Sequence, residues 1–221
     1  MADRPHPGAA GSMSVTVITI ASMSASVITY HLGMGRWEPN ARGRLERAAM
    51  ELFVARGFEQ TTVAEIAQRA GLTERTFFRY FADKREVLFA GAGALQELLV
   101  RAVAQAPGSA TPLGAVASAL EAAAPLFAER GDYPRRRQAV IAANAELQER
   151  ELIKLAALAA AMAGALRERG IPEPTASLAA EAGIAAFRIA FERWTTEDCQ
   201  PELAKLIRES LDELKALTAG W

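Results

Sequence analysis

The 221-residue chain is poor in reactive side chains: it has one cysteine, Cys199, and two histidines, His6 and His31. One cysteine excludes an intramolecular disulfide framework and a four-cysteine zinc site, and agrees with a reducing, cytoplasmic setting. Cys199 reads as a helix-start or surface residue rather than a redox switch. With both histidines ahead of residue 36, the body of the protein has no His–carboxylate metal constellation. It also lacks a Ser/His/Asp or Cys/His set, an HExxH helix and a phosphate-binding glycine loop, and its carboxylates fall on charged helical faces beside cations. These absences weigh against an enzyme, and they imply no cofactor.

An excess of charge of either sign is missing as well. Lys and Arg number 25 against 26 Asp and Glu, a net charge of -1. A protein that coats nucleic acid through bulk positive charge is excluded, so any contact with DNA needs a local patch. No strand pattern occurs after residue 36. The 51% hydrophobic composition is enough to fill a real core, and the apolar periodicity predicts an all-α fold of about nine helices.

Residues 1–36 differ from the rest, being rich in Ser, Thr, Ala and β-branched residues and almost uncharged from Gly11 to Gly35. A signal peptide fits poorly: Asp3 stands beside Arg4, serines and threonines break the apolar run, and no uncharged stretch there reaches membrane-spanning length. A strand pair, VTVITI with SVITY, is marginal in isolation. The preferred reading is a disordered extension or a mis-assigned start, with Met13, Met23 and Met34 as possible starts.

The stretch TTVAEIAQRAGLTERTFFRYFADK, Thr61 to Lys84, organises the rest of the chain. Val63, Ile66, Ala67 and Ala70 form the stripe of a short amphipathic helix, with Thr61 or Thr62 as its N-cap. Gly71 ends that helix, and Thr73 caps a second. Advancing about 100° per residue puts Arg75, Thr76, Arg79 and Tyr80 on one half of the second helix, and Glu74, Phe77, Phe78 and Phe81 on a half expected to be buried. This is the layout of a helix-turn-helix, although an ordinary helical hairpin with a soluble basic face has the same geometry.

Ahead of it, helix 1 is expected from Asn40 to Arg56. The three helices share a core of Leu45, Leu52, Phe53, Phe58, Val63, Ile66, Leu72, Phe77 and Phe81. Arg42 and Arg44 at the start of helix 1 either approach a phosphate or are solvated. Asp83 is placed to cap a fourth helix running without interruption through Val103. Lys84 in its first turn opposes the helix dipole, for which a DNA phosphate is the expected reason.

The segment GLTERTFFRYFADKREVL resembles the signature of the tetracycline-repressor (TetR) family, in which a hydroxyl residue caps the recognition helix, aromatics follow and a lysine opens the next helix. The resemblance implies a DNA-binding transcriptional regulator. Arg75, Thr76, Arg79 and Tyr80 are then expected to contact the major groove, and Thr62, Thr73 and Lys84, with Arg42 and Arg44 nearby, the DNA backbone.

Helices are further expected at Pro112–Arg130, near Gln138–Ala143 after a turn at Gly131-Asp132-Tyr133-Pro134, at Ala145–Arg169, at Thr175–Thr195 and at Pro201–Thr218. Ala179, Ala182, Gly183, Ala186 and Ala190 on the penultimate helix and Leu203, Leu206, Ile207, Leu211, Leu214 and Leu217 on the last form two complementary stripes. Periodicity leaves open whether these stripes are internal core or a subunit interface; the resemblance implies that the last two helices make a homodimer.

The middle helices are expected to enclose an effector cavity walled by Leu99, Phe127, Leu155, Leu158, Met162, Phe187 and Phe191, with Asn144 and Arg188 as polar handles. Leu95, Leu120 and Ile141 are further wall candidates. The stretch ANAELQERELIKLAALAAAMAGALRERG, followed by FERW, resembles the ligand-binding domain of an acyl-CoA-like branch of the same family, which implies an apolar effector. Arg135, Arg136 and Arg137 read as a solvated charge run rather than an anion site.

The domain organisation expected is therefore 1–36 as an extension, 37–84 as the helix-turn-helix DNA-binding domain and 85–221 as a helical ligand-binding and dimerisation domain. The partners expected are a palindromic double-stranded operator, a second copy of the chain and a small apolar, acyl-CoA-like effector, with no membrane. The competing readings are an all-α carrier or enzyme without sequence-specific DNA binding, and an activator or architectural DNA-binder without a ligand.

Overall fold

The computed structural model describes residues 40–196 and 202–218, all within one compact unit. The expectations for residues 1–36, for His6 and His31 and for Cys199 lie outside the described residues. Within them every regular element is a helix: α1 (Ala41–Arg56), α2 (Val63–Arg69), α3 (Glu74–Tyr80), a 3-10 turn (Glu86–Phe89), α4 (Ala92–Gln105), α5 (Pro112–Ala128), α6 (Tyr133–Ala142), α7 (Ala145–Glu168), α8 (Thr175–Thr196) and α9 (Leu203–Thr218).

Two apolar cores organise these helices. The first gathers Leu45, Phe53, Phe58, Ile66, Phe77 and Phe81 of the α1–α3 region, with Leu52, Val63 and Leu72 packed at its edge. It does not end at residue 84. Val87, Leu88 and Phe89 of the 3-10 turn, Val140 and Ile141 of α6, and Leu147 of α7 are buried in the same cluster. The second core lies among α4, α5, α7, α8 and α9, around Leu120, Met162, Leu166 and Ile207. Helix α7 crosses from one to the other, giving Leu147 to the first core and Leu158, Met162 and Leu166 to the second.

The uninterrupted linker expected from Lys84 to Val103 is absent. Asp83 instead caps the turn leading into the 3-10 element, accepting from the backbone N–H of Arg85 at 2.8 Å and of Glu86 at 3.1 Å. After this cap the chain makes the 3-10 turn, passes through Ala90 and Gly91 and only then enters α4. Gly91 and Gly93 have low helix propensity at this point. Val87, Leu88 and Phe89 are all buried, a run that a one-sided helical stripe does not produce. By length and composition Glu86–Gln105 is apolar enough to cross a bilayer; in the fold it is this broken element, with Leu99 and Val103 buried in the second core.

Helix α6 begins earlier than expected. Tyr133 and Pro134 belong to its first turn, where a proline has no hydrogen bond to lose. The arginine run at 135–137 is therefore helical rather than loose. Gly131, at φ 56°, makes the left-handed step that separates α5 from α6.

The two stripes on α8 and α9 are internal except for Ala182, Leu214 and Leu217, which border an outer groove. Ala179, Gly183, Ala186 and Ala190 are buried against α5, α7 and α9, and Leu203, Leu206, Ile207 and Leu211 join the same core. Gly183 is where α5 comes closest: a Cβ there would lie 2.3 Å from Val116 Cγ1. Small residues thus serve a close crossing inside the subunit. Leu217, the last residue of the α9 stripe, is exposed, as are Leu178 and Ile189 of α8.

Candidate nucleic-acid interface and effector cavity

Local sequence fixes the helix pair. Thr62 caps α2: its hydroxyl accepts from Glu65 N–H at 3.2 Å, and the Glu65 carboxylate accepts from Thr62 N–H at 2.9 Å, a reciprocal capping box. The Thr62 backbone N–H foremost, and then the Thr62 hydroxyl, which donates to the same carboxylate at 3.0 Å, hold the Glu65 carboxyl below its ordinary range. Thr61, the other candidate cap, is buried, and its hydroxyl donates to Gly57 O at 2.9 Å. Gly71, at φ 67°, ends α2, and Thr73 caps α3 by accepting from Thr76 N–H at 3.2 Å.

Helix α3 is anchored by fully buried Phe77, which packs on Phe81 with ring centroids 5.4 Å apart. Taking Phe77 as the core-facing direction, Arg75 and Arg79 lie about 160° and 200° around the helix, on the opposite side. Both are exposed. Arg75 has no protein partner among the described residues, and Arg79 rests 4.9 Å over the Tyr80 ring with its guanidinium 3.1 Å from the Tyr80 hydroxyl. Thr76 is half-buried and Tyr80 exposed. Phe78 departs from expectation: it is 54% exposed, standing beside the arginines instead of joining Phe77 in the core.

Three residues expected at the DNA backbone are engaged within the protein. The Lys84 ammonium donates to the carbonyl oxygens of Phe58, Glu59 and Thr61 at 2.9, 3.3 and 3.2 Å, which uses its three N–H bonds. It stands in the turn before the 3-10 element, where it closes the α1–α2 loop, so the phosphate explanation for its position is not required. Arg44 donates to Ala70 O, satisfying the C-terminal end of α2. Arg42 reaches Ala90 O and Glu46, tying α1 to the end of the 3-10 turn.

A cavity of about 630 Å³ is walled by the 3-10 turn, the start of α4, the end of α5, and α6, α7 and α8. Among the expected wall residues, Phe127, Leu155, Leu158, Phe187, Arg188 and Phe191 line it, as do Leu95 and Ile141. Phe127 packs on Phe191 and Phe187 with centroids 5.2 and 5.8 Å apart. The others go elsewhere. Leu99, Leu120 and Met162 are fully buried in the second core, where tight packing leaves them no open side. Asn144 turns back to donate to Val140 O at 2.6 Å before α7.

Apart from Arg188, sequence reasoning missed the polar part of this wall. Arg130 stacks 4.2 Å over the Tyr133 ring and reaches Glu46 of α1 at 3.3 Å. Burial pushes the Tyr133 hydroxyl's pKa up, with Arg130 opposing. Arg137 donates to Leu88 O at 2.7 Å and to Glu151 at 2.8 Å, and lies 5.0 Å over Phe89. The run at 135–137 is therefore solvated only in part: Arg137 is tied to the linker and Arg135 reaches Trp194 O, while Arg136 is exposed and pairs with exposed Asp132. Lys154 is 3.6 Å from Glu86. Arg188 is the lining cation without a protein partner among the described residues. Leu88, Phe89 and Ile141 belong at once to the first core and to the cavity wall. The Leu88-Phe89 pair and the helical phase of Ile141 were visible in sequence, but nothing there brings residues 88 and 141 together.

A family profile described as "Bacterial regulatory proteins, tetR family" matches residues 46–90. The HTH-type transcriptional regulator TcmR of Streptomyces glaucescens is 42% identical over 81 residues, 37% of this chain and 36% of that protein. The chain thus aligns with about a third of the length of that curated relative. Among solved structures, Thermus thermophilus FadR, a TetR-family transcriptional repressor in complex with lauroyl-CoA, superimposes with a TM-score of 0.52 at 26% identity, over 79% of this chain and 93% of that one. The fatty acid degradation regulator FadR from Bacillus halodurans shares the fold, with a TM-score of 0.58 at 19% identity over 80% and 95% of the two chains.

Proposed function

We propose that this chain, TetR-like in its DNA-binding domain and its fold, is a homodimeric transcriptional repressor released from a palindromic operator by an apolar effector. The observation that carries the reading is α3 itself: Thr73 caps it, Phe77 anchors it, and Arg75 and Arg79 stand on the free side. An arginine fork matches the two acceptors on the major-groove edge of guanine. Thr76 and Tyr80 flank the arginines, and the hydroxyls and first-turn N–H groups of Thr62 and Thr73 meet the backbone on either side. Arg42, Arg44 and Lys84 support this surface from behind.

A second copy supplies the second recognition helix, since a palindrome presents half-sites about 34–36 Å apart. The proposed interface is the outer face of α8 and α9, where Ala182, Ala185, Ile189, Leu214 and Leu217 line a groove of about 460 Å³. The effector occupies the cavity behind α6. Phe127, Phe187 and Phe191 suit an apolar body, and Arg188 suits an anionic group. The FadR of Thermus thermophilus holds lauroyl-CoA, which makes an acyl thioester the first compound to try. The protein is proposed to act in the cytoplasm and to catalyse no reaction.

Selection of binding sequences from a random duplex library by the full chain tests this reading. One enriched palindrome supports it. No enrichment leaves a small-molecule carrier, and unselective retention of duplexes an architectural DNA-binder.

A further inference from the structure

Resting on that DNA-binding reading, we propose that Phe78 is a base-reading residue that seats the 5-methyl group of a thymine in the major groove. Helical geometry places it. About 100° per residue puts Phe78 some 60° from Arg75 around α3, on the same free arc as the two arginines. It is a large apolar side chain 54% exposed on a seven-residue helix whose other exposed residues are charged or hydroxylic. Its ring is held rather than loose: it meets the edge of buried Phe77 with centroids 5.5 Å apart and planes at 82°.

The chemistry selects the partner. Phe78 has no donor or acceptor, so it gains nothing from a phosphate oxygen, from N7 or O6 of guanine, or from the amino groups of adenine and cytosine. The one apolar group that a base pair presents in the major groove is the thymine methyl. Arg75, next to it on the arc, suits guanine. The pair therefore reads a thymine and a guanine at nearby positions, one by burial of a methyl group and the other by hydrogen bonds.

The test uses the full chain and the duplex it selects from the random library, with each thymine replaced singly by uracil, which keeps every hydrogen-bonding group and loses only the methyl. Burial of one methyl group corresponds to roughly a four-fold change in affinity. The expected result is that one thymine in each half-site shows a loss of that size, and that Phe78→Ala binds the thymine and uracil duplexes equally. A merely structural role for Phe78 gives a variant weakened on both duplexes with the difference between them intact, and that overturns the proposal. So does a selected half-site with no methyl-sensitive thymine, which leaves the DNA-binding reading standing. Failure to select any sequence overturns both.

Discussion

The Lys84 ammonium sits 2.9 Å from the carbonyl oxygen of Phe58 and 4.2 Å from the centroid of that residue's ring. A cation just after the helix-turn-helix, which reads as a phosphate contact in the sequence, is a clasp on the loop between α1 and α2. Lys84→Met keeps the length of the side chain and removes its donors. It should lower unfolding stability by about 1–3 kcal/mol, while the slope of log affinity against log salt for the operator stays unchanged. Denaturant melts and a salt titration check the two halves separately; a phosphate contact would flatten the slope by nearly one unit.

The capping box at the start of α2 gives a pH signature. Thr62→Ala should cost about 1 kcal/mol. The Glu65 carboxyl is held below its ordinary value of 4.5 by the Thr62 backbone N–H, then by the Thr62 hydroxyl and Arg56. A depressed carboxyl contributes stability that is present above the unfolded value and is lost as pH falls through the folded one. Thermal melts from about pH 6 down to pH 2 should therefore show a shallower acid decline in Glu65→Gln than in the parent chain. Parallel declines would remove Glu65 from the account.

How far the molecule was legible in its sequence depended on whether a signal was local. Caps and turns were: Thr62, Thr73, Gly71 and Asp83 each act on neighbours two or three residues away, and each was found in its expected place. So was the all-helical fold, because its stripes are long. Phe78 was misplaced because a residue about 100° from the core-facing Phe77 is compatible with either side, and only packing decides. Arg130 and Arg137 were missed because their partners, Glu46 and Leu88, are distant in sequence. The Ala/Gly and Leu stripes of α8 and α9 were genuine, but periodicity does not say whether the facing helix belongs to the same chain; Val116 opposite Gly183 does.

That last distinction is measurable. Gly183→Ala should lower stability by about 1–3 kcal/mol through overpacking against Val116 and leave the subunit count unchanged. Ile189→Glu and Leu217→Glu, on the outer face, should leave the subunit fold intact and convert dimer to monomer in sedimentation, with loss of palindrome binding. If Gly183→Ala dissociated the dimer and the two outer substitutions did not, the proposed interface would be misplaced.

The cavity should prefer an apolar anion. Anilinonaphthalene sulfonate carries a charge that the neutral phenylnaphthylamine lacks, and both fluoresce on entering an apolar site. Arg188→Ala should weaken the first by about ten-fold and leave the second unchanged, as expected for one charge-assisted contact. Equal loss for both dyes would mean that Arg188 shapes the wall without reading charge.

The central claim is that α3 reads sequence through Arg75 and Arg79. The most direct measurement is the affinity of the full chain, and of its Arg75→Ala and Arg79→Ala variants, for the selected palindrome and for a scrambled duplex of the same composition, at fixed salt. The account predicts that at least one variant loses discrimination between the two duplexes by about 1–3 kcal/mol per lost bidentate contact, with its melting temperature preserved. Variants that discriminate as well as the parent chain would contradict it.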